Sequence, residues 1–131
     1  MKAYRKILAL SAVLLLPLCL SAQDKDNSLD EYCAKEADRL TQMLSLEDWQ
    51  TFYVDSTLRH DYTKMQETAD SLSKAKVTNT EIYQNVHDKW AAHIDKTYER
   101  IFNADQWAKY LKMGGAKKIK EREKRMAKYK K

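Results

Sequence analysis

The sequence predicts an all-α fold of elongated antiparallel hairpins, with about four helices and a basic C-terminal segment. The first observation is that 131 residues include 2 Gly and 1 Pro, none of them between Gln23 and Met113. The second is that apolar residues recur at helical spacing, with short links between the periodic stretches. Sheet folds need many Gly- or Pro-containing turns, and phosphate loops need several glycines. An all-β sandwich, a Rossmann unit and a Gly-rich phosphate loop are therefore excluded.

Residues 1–22 have the pattern of a secretory signal peptide. Lys2, Arg5 and Lys6 precede an apolar run over residues 7–16, and small residues end at Ala22. We expect cleavage after Ala22 and a mature protein in the periplasm or outside the cell. The alternatives are a lipoprotein signal with Cys19 as the modified residue, or an uncleaved anchor.

Two helices are predicted in the first half of the mature chain. Apolar residues spaced four, four, three and four apart predict helix one over Leu29–Leu44, capped by Ser28. Helix two is predicted over Leu46–Lys74, capped by Ser45, with an apolar stripe that becomes heptad-like in its second half. A helix of this length in a small protein indicates one arm of a hairpin or a dimer.

Two further helices follow, and a weaker one after them. A capping box at Thr78 and Glu81 predicts helix three, which continues to about Phe102. Asn103 and Gln106 predict the start of helix four, which the Gly114–Gly115 pair ends. A weaker helix resumes at Ala116. These boundaries divide the chain into residues 1–22, a helical domain over 23–116 and a basic segment over 117–131.

One cysteine remains in the mature chain. Cys33 lies in the apolar stripe of helix one, so we expect it to act as a small buried hydrophobe. The alternative is an intermolecular Cys33–Cys33 disulfide, because an odd cysteine in an oxidising compartment can pair between chains.

Charge is divided unevenly along the chain. The whole chain carries +5, the basic segment carries +7, and residues 23–116 carry −5. A block of like charge indicates a solvated interaction segment, here either a solubilising tail or a tether to an anionic membrane. We expect no nucleic acid partner. The cations of the basic segment are Lys117, Lys118, Lys120, Arg122, Lys124, Arg125, Lys128, Lys130 and Lys131.

Two short segments repeat one pattern at the start of a helix. They read LEDWQ over 46–50 and FNADQ over 102–106. In each, an apolar residue packs under the first turn, and polar side chains satisfy its unpaired N–H groups. The pair resembles the LTxxQ motifs of the Spy/CpxP-type periplasmic proteins, with Glu47 and Asn103 in place of Thr. The resemblance covers most of the mature chain.

The resemblance implies an ATP-independent holdase-like chaperone or envelope-stress modulator, with unfolded or envelope proteins as partners and a homodimer as the possible assembly. It implies structural roles for Leu46, Gln50, Phe102 and Gln106. It places client binding on a concave face formed by Trp49, Phe52, Tyr53, Arg59, Tyr62, Lys64 and Met65. The competing hypothesis is an envelope adaptor or surface-tethering protein that acts through its basic segment.

Enzyme and metal chemistry are not indicated by the sequence. His87 and His93 are six residues apart, so they point to different faces of one helix. The pair His60–Asp61 is expected to be a surface contact. No residue brings a base to Cys33 in the sequence pattern. We therefore predict no catalytic residue, no metal site and no cofactor.

Overall fold

The computed structural model describes residues 20–130 and confirms the all-α fold. The described residues form five α-helices with no strand among them: α1 Leu20–Leu44, α2 Asp48–Lys74, α3 Thr80–Ile101, α4 Ala104–Tyr110 and α5 Ala116–Tyr129. A kinked segment, Leu111–Gly115, joins α4 to α5. Most of the predicted signal segment, including Cys19, lies outside the described residues.

Helix α2 lies between α1 and α3 and packs against both. Arg59 of α2 pairs with Asp30 of α1, and Asp61 of α2 bonds His93 of α3, so both neighbours run antiparallel to α2. The short links predicted from the sequence therefore join antiparallel hairpins. Helix α5 turns back along α3 and is antiparallel to it as well. We name the end of the bundle where α1 stops and α2 starts the motif end.

A single apolar core connects α1, α2 and α3. It follows from the helical spacing of the sequence, because one stripe of each helix faces its neighbours. Burying each large aliphatic or aromatic side chain stabilises the fold by roughly 1.5–3 kcal/mol. The buried members are Cys33, Ala37, Leu40, Leu44, Leu46, Val54, Leu58, Ile94, Tyr98 and Phe102.

The predicted starts of the first three helices are wrong. Within the described residues α1 is already helical from Leu20 and passes through Ser28, and no Gly or Pro stops it there. Helix α2 begins at Asp48 with Glu47 as its N-cap. Helix α3 begins at Thr80, where the side chain of Asn79 accepts a hydrogen bond from the N–H of Glu81.

Ser45 and Thr78 do not cap the helices that follow them, because the preceding helices close differently. Ser45 and Lys76 adopt the left-handed conformation, with φ of 51° and 58°. The N–H of Val77 bonds the carbonyl of Leu72, and the N–H of Leu46 bonds the carbonyl of Thr41. These are Schellman-type endings, which usually place Gly in the left-handed position. Both turns therefore form without glycine, at some conformational cost.

The two glycines make a kink between α4 and α5. Gly114 has φ of 113°, a conformation that L side chains rarely adopt. At Gly115, a Cβ atom would lie 2.8 Å from the carbonyl oxygen of Tyr110 and 2.9 Å from its ring. Helix α4 ends just before this segment, and α5 resumes at Ala116 as predicted. The kink directs the basic segment back along α3.

Candidate functional site

The two repeated motifs meet at the motif end through their glutamines. The side chains of Gln50 and Gln106 are 3% and 8% exposed. Gln50 Nε2 donates to Gln106 Oε1 at 2.7 Å, and Gln106 Nε2 donates to Gln50 Oε1 at 3.0 Å. Two primary amides thus form a reciprocal pair in a buried setting. The pair links the start of α2 to the start of α4.

Each glutamine also completes the start of its own helix. Gln50 Oε1 accepts from the N–H of Glu47, and Gln106 Oε1 accepts from the N–H of Asn103, both at 2.9 Å. At the start of α4 a second hydrogen bond completes a capping box, in which Asn103 Oδ1 accepts from the N–H of Gln106. Each amide oxygen therefore holds one helix-start N–H and one NH₂ of the other glutamine.

The second N–H of each glutamine amide is bonded in an equivalent way. Gln50 Nε2 bonds the carbonyl of Ile101, which lies five residues before Gln106. Gln106 Nε2 bonds the carbonyl of Ser45, which lies five residues before Gln50. Both amides are thereby fully satisfied, and such a buried network fixes one arrangement of the helices it joins. Leu46 and Phe102, four residues before each glutamine, lie in the core.

The first turns of α2 expose a cluster of aromatic side chains, which we name the α2 aromatic patch: Trp49, Phe52 and Tyr53. Their exposed fractions are 49%, 67% and 51%. The ring centroids of Trp49 and Tyr53 are 6.2 Å apart, and those of Phe52 and Tyr53 are 5.9 Å apart, both edge to face. Exposed, contiguous apolar surface of this kind marks interaction sites in soluble proteins.

Helical geometry explains why the patch faces outward. Gln50 and Val54, which directly follow Trp49 and Tyr53 in the sequence, are buried. They define the side of α2 that faces the core. Phe52 and Tyr53 lie three and four residues after Trp49, so the three share one side of α2, opposite the buried side. The Gln50–Gln106 pair consequently determines the orientation of the turn that carries the patch. Glu47 accepts a hydrogen bond from the indole nitrogen of Trp49 at 2.5 Å.

The other predicted client-binding residues lie elsewhere. Tyr62 packs against the core and makes an edge contact with Tyr32 of α1, and Met65 is half-buried. Arg59 is paired with Asp55 and Asp30, in each case through a side-chain hydrogen bond. Lys64 is exposed and pairs with Glu67 at 2.7 Å. The structure thus brings Trp49, Phe52 and Tyr53 together and separates the other four from them.

The basic segment is helical, and both of its arginines bond carboxylates of α3. Arg122 is 7% exposed and pairs with Asp95, whose other carboxylate oxygen accepts from the hydroxyl of Tyr110 at 2.7 Å. Arg125 binds both carboxylate oxygens of the buried Asp88 at 2.9 Å. These two bridges fasten α5 to α3, and bidentate geometry is the strong form of this contact.

Charge and burial act in opposite directions on Asp88. Burial raises the pKa of its carboxyl, but hydrogen bonds from Arg125 and Gln84, together with the charge of Arg125, outweigh it. The resulting pKa lies below the usual range. Asp88 is therefore ionised near neutral pH and holds α5 as a charged partner.

Lysines occupy the outer side of α5. Lys117, Lys120, Lys124 and Lys128 are exposed and follow one another at spacings of three, four and four residues. This spacing places them on one face, roughly opposite Arg122. We name these four residues the lysine stripe. The basic segment therefore separates its cations by type, with arginines paired to carboxylates of α3 and these four lysines exposed to solvent.

Sequence reasoning missed a cluster around Asp61, which it expected at the surface. Asp61 is 1% exposed, and its two oxygens bond His60 Nδ1 at 2.8 Å and His93 Nδ1 at 2.6 Å. The ring of Trp90 lies edge-on to both imidazoles. Asp61 lies on the inner face set by Leu58, and that periodicity was the available signal. The cluster joins α2 to α3.

Cys33 is fully buried in α1, as its place in the apolar stripe predicted. Burial raises the pKa of its thiol, which suppresses the reactive thiolate. Among residues 20–130, no group of three or more His, Cys, Asp or Glu side chains is placed to hold a metal ion. In the same part of the chain, no helix has the length and apolar character needed to span a bilayer.

Comparison of the chain with protein-family models, with curated proteins and with solved structures gave no match. The resemblance to Spy/CpxP-type proteins therefore rests on the two motifs themselves.

Proposed function

We propose that this protein is an exported, ATP-independent client-binding protein that holds unfolded polypeptides through the α2 aromatic patch. The observation that carries the proposal is the exposure of three adjoining aromatic rings. The same fold buries Tyr98 and Phe102 almost completely. Each large ring can bury roughly 150–250 Å² against a partner. A polypeptide that covers the patch would gain that apolar burial without any covalent step or cofactor.

The repeated motif supports the proposal through structure rather than contact. Gln50 and Gln106 fix the first turn of α2, and that turn holds Trp49 and Phe52 at the surface. Pre-ordering the rings lowers the conformational entropy lost when a client binds. The motif residues are therefore positioning residues, in the periplasmic or extracellular setting that the N-terminal segment predicts.

A second candidate function is tethering to an anionic envelope surface through the lysine stripe. The observation that favours it is the alignment of four exposed lysines on one face of an ordered helix. Each cation near an anionic membrane contributes roughly 1 kcal/mol, so this attraction weakens with salt. The outer face of α5 carries no large apolar side chain that would insert into lipid.

Suppression of aggregation of an unfolded client tests the proposal and separates the two candidates. We expect the intact protein to suppress aggregation, and Trp49→Ser/Phe52→Ser/Tyr53→Ser to lose most of this activity while circular dichroism stays unchanged. Ile82→Ser removes an exposed apolar side chain outside the patch and serves as the control. Neutralising the lysine stripe with four Lys→Gln changes should leave suppression intact. Suppression that survives the patch variant would contradict the proposal, and suppression lost only in the stripe variant would place client binding on the lysine stripe.

A further inference from the structure

We propose that the α2 aromatic patch selects client segments in which apolar side chains are flanked by Lys or Arg. This inference rests on the proposed function and specifies its substrate class. It follows from the charges around the patch, which are opposite in sign to those of the basic segment. The partner is a polypeptide with cationic flanks, as distinct from an acidic chain or a lipid surface.

The stretch of sequence that carries the patch contains no cation. Between Arg39 and Arg59 there is no Lys or Arg, whereas Glu47, Asp48 and Asp55 all lie in this interval. Glu47 and Asp48 are exposed in the turn that begins α2, directly beside Trp49. The indole of Trp49 bonds Glu47 at 2.5 Å, so one carboxylate lies against the ring itself. Acids therefore border the aromatic surface on its helix-start side.

The nearest cations along α2 are already neutralised. Arg59 bonds Asp55 at 2.8 Å and also pairs with Asp30 of α1, so two carboxylates surround one guanidinium. Lys64 lies further along the helix and pairs with Glu67. Neither cation is offered to an incoming acidic segment. The charged groups of α2 beside the patch are consequently net negative, and they attract positive charge.

The aromatic rings reinforce this preference. A cation over the face of Trp, Tyr or Phe is attracted by the ring quadrupole, and Trp is the strongest of the three. A client Lys or Arg can therefore contact a ring face while its charge approaches Asp48. An acidic client side chain would meet both the ring face and the carboxylates unfavourably.

The expected size of the charge preference depends on the solvent exposure of the charges beside the patch. Charges at the rim of an exposed site are screened over about 8 Å at physiological ionic strength. They act mainly on encounter and selection, and the apolar contact supplies most of the affinity. Several exposed pairs together correspond to roughly tenfold in affinity at low salt. We expect this preference to shrink to within about twofold in concentrated salt.

The test uses two fluorescein-labelled peptides with one apolar core, flanked either by four Lys or by four Glu. Their binding to the intact protein is followed by fluorescence anisotropy at low and high salt. We expect the Lys-flanked peptide to bind about tenfold more tightly at low salt. Glu47→Gln/Asp48→Asn should remove most of that difference. Asp70→Asn/Glu81→Gln makes the same charge change at exposed sites at the opposite end of the bundle, and should preserve it.

Binding to the lysine stripe must be separated from binding to the patch. The variant Trp49→Ser/Phe52→Ser/Tyr53→Ser reports any peptide held elsewhere, and only affinity lost in this variant is assigned to the patch. Equal patch affinity for the two peptides, or tighter patch binding of the Glu-flanked one, would overturn the inference and leave the proposed function standing. Failure of both peptides to bind the patch would overturn the proposed function as well. A preference that Asp70→Asn/Glu81→Gln also abolishes would assign selection to net charge and overturn the inference.

Discussion

At the scale of single residues, the paired glutamines give this molecule its distinctive contact. Gln50 and Gln106 are far apart in sequence, yet each completes one helix start and bonds the carbonyl five residues before the other. A buried primary amide is costly unless its donors and acceptors are paired. Each glutamine side chain supplies hydrogen-bond partners that the other requires, so a substitution at one position also affects the other.

The first prediction concerns this mutual dependence. Gln50→Ala should lower the free energy of unfolding by about 3 kcal/mol, because it leaves the Gln106 amide, the Ile101 carbonyl and the Glu47 N–H without their partners. Gln106→Ala should have a similar effect. The double variant should cost less than the sum of the two, by at least about 1 kcal/mol, since the second deletion removes groups already unpaired.

Urea unfolding of the four proteins in the cycle measures this coupling. Gln66→Ala is the control, because Gln66 is exposed on α2 and its removal should change stability by no more than about 0.5 kcal/mol. Strictly additive effects would show that the glutamines stabilise their own helix starts independently.

At the scale of elements, the helices were largely predictable and their contacts were not. The helical spacing of apolar residues and the lack of Gly and Pro predicted the helices. The N-caps assigned to Ser28, Ser45 and Thr78 were wrong. Several polar residues near each boundary were chemically able to cap a helix. Packing decided among them, for example by drawing Leu46 into the core and leaving Glu47 as the N-cap.

The candidate site shows the same division between local and long-range information. Leu46, Gln50, Phe102 and Gln106 were predicted to be structural, and all four are buried. The pairing of the glutamines depends on how two helix starts meet in space, which single-helix periodicity does not encode. The packing of α5 on α3 could be inferred more easily from the sequence than the glutamine pair. Arginine, unlike lysine, suits bidentate ion pairs, and α5 contains two arginines.

The second prediction concerns how α5 is held. The pKa of Asp88 is depressed in the folded protein, so its ion pair contributes stability above the unfolded pKa of about 3.9. This contribution is lost as pH falls through the lower, folded value. We expect the stability difference between the native protein and Asp88→Asn to be constant near neutral pH and to shrink below about pH 4.

Urea midpoints measured for both proteins from pH 7 to pH 3 test this expectation. The difference between the two proteins cancels titrations that they share. Asp70→Asn, at an exposed carboxylate on α2, is the control and should show no comparable trend. A difference that persists undiminished at pH 3 would contradict a charged Asp88–Arg125 bridge.

At the scale of the whole molecule, two surfaces of opposite charge lie on different helices. The α2 aromatic patch lies beside Glu47 and Asp48 at the motif end, whereas the lysine stripe runs along α5, which packs on α3. Residues 117–131 carry a net +7, and residues 23–116 carry −5. The patch binds client segments in the function we propose, and the stripe is the surface that the second candidate function would use.

The most direct measurement of the central claim uses the three tryptophans of the chain as site reporters. Trp49 lies in the patch, Trp90 lies beside the Asp61 cluster, and Trp107 packs against the core near α4. Their indole N–H signals can be followed separately by NMR during titration with an unfolded client. We predict that the Trp49 signal shifts or broadens while those of Trp90 and Trp107 stay in place. A client that perturbs Trp90 or Trp107 and leaves Trp49 unchanged would contradict binding at the α2 aromatic patch.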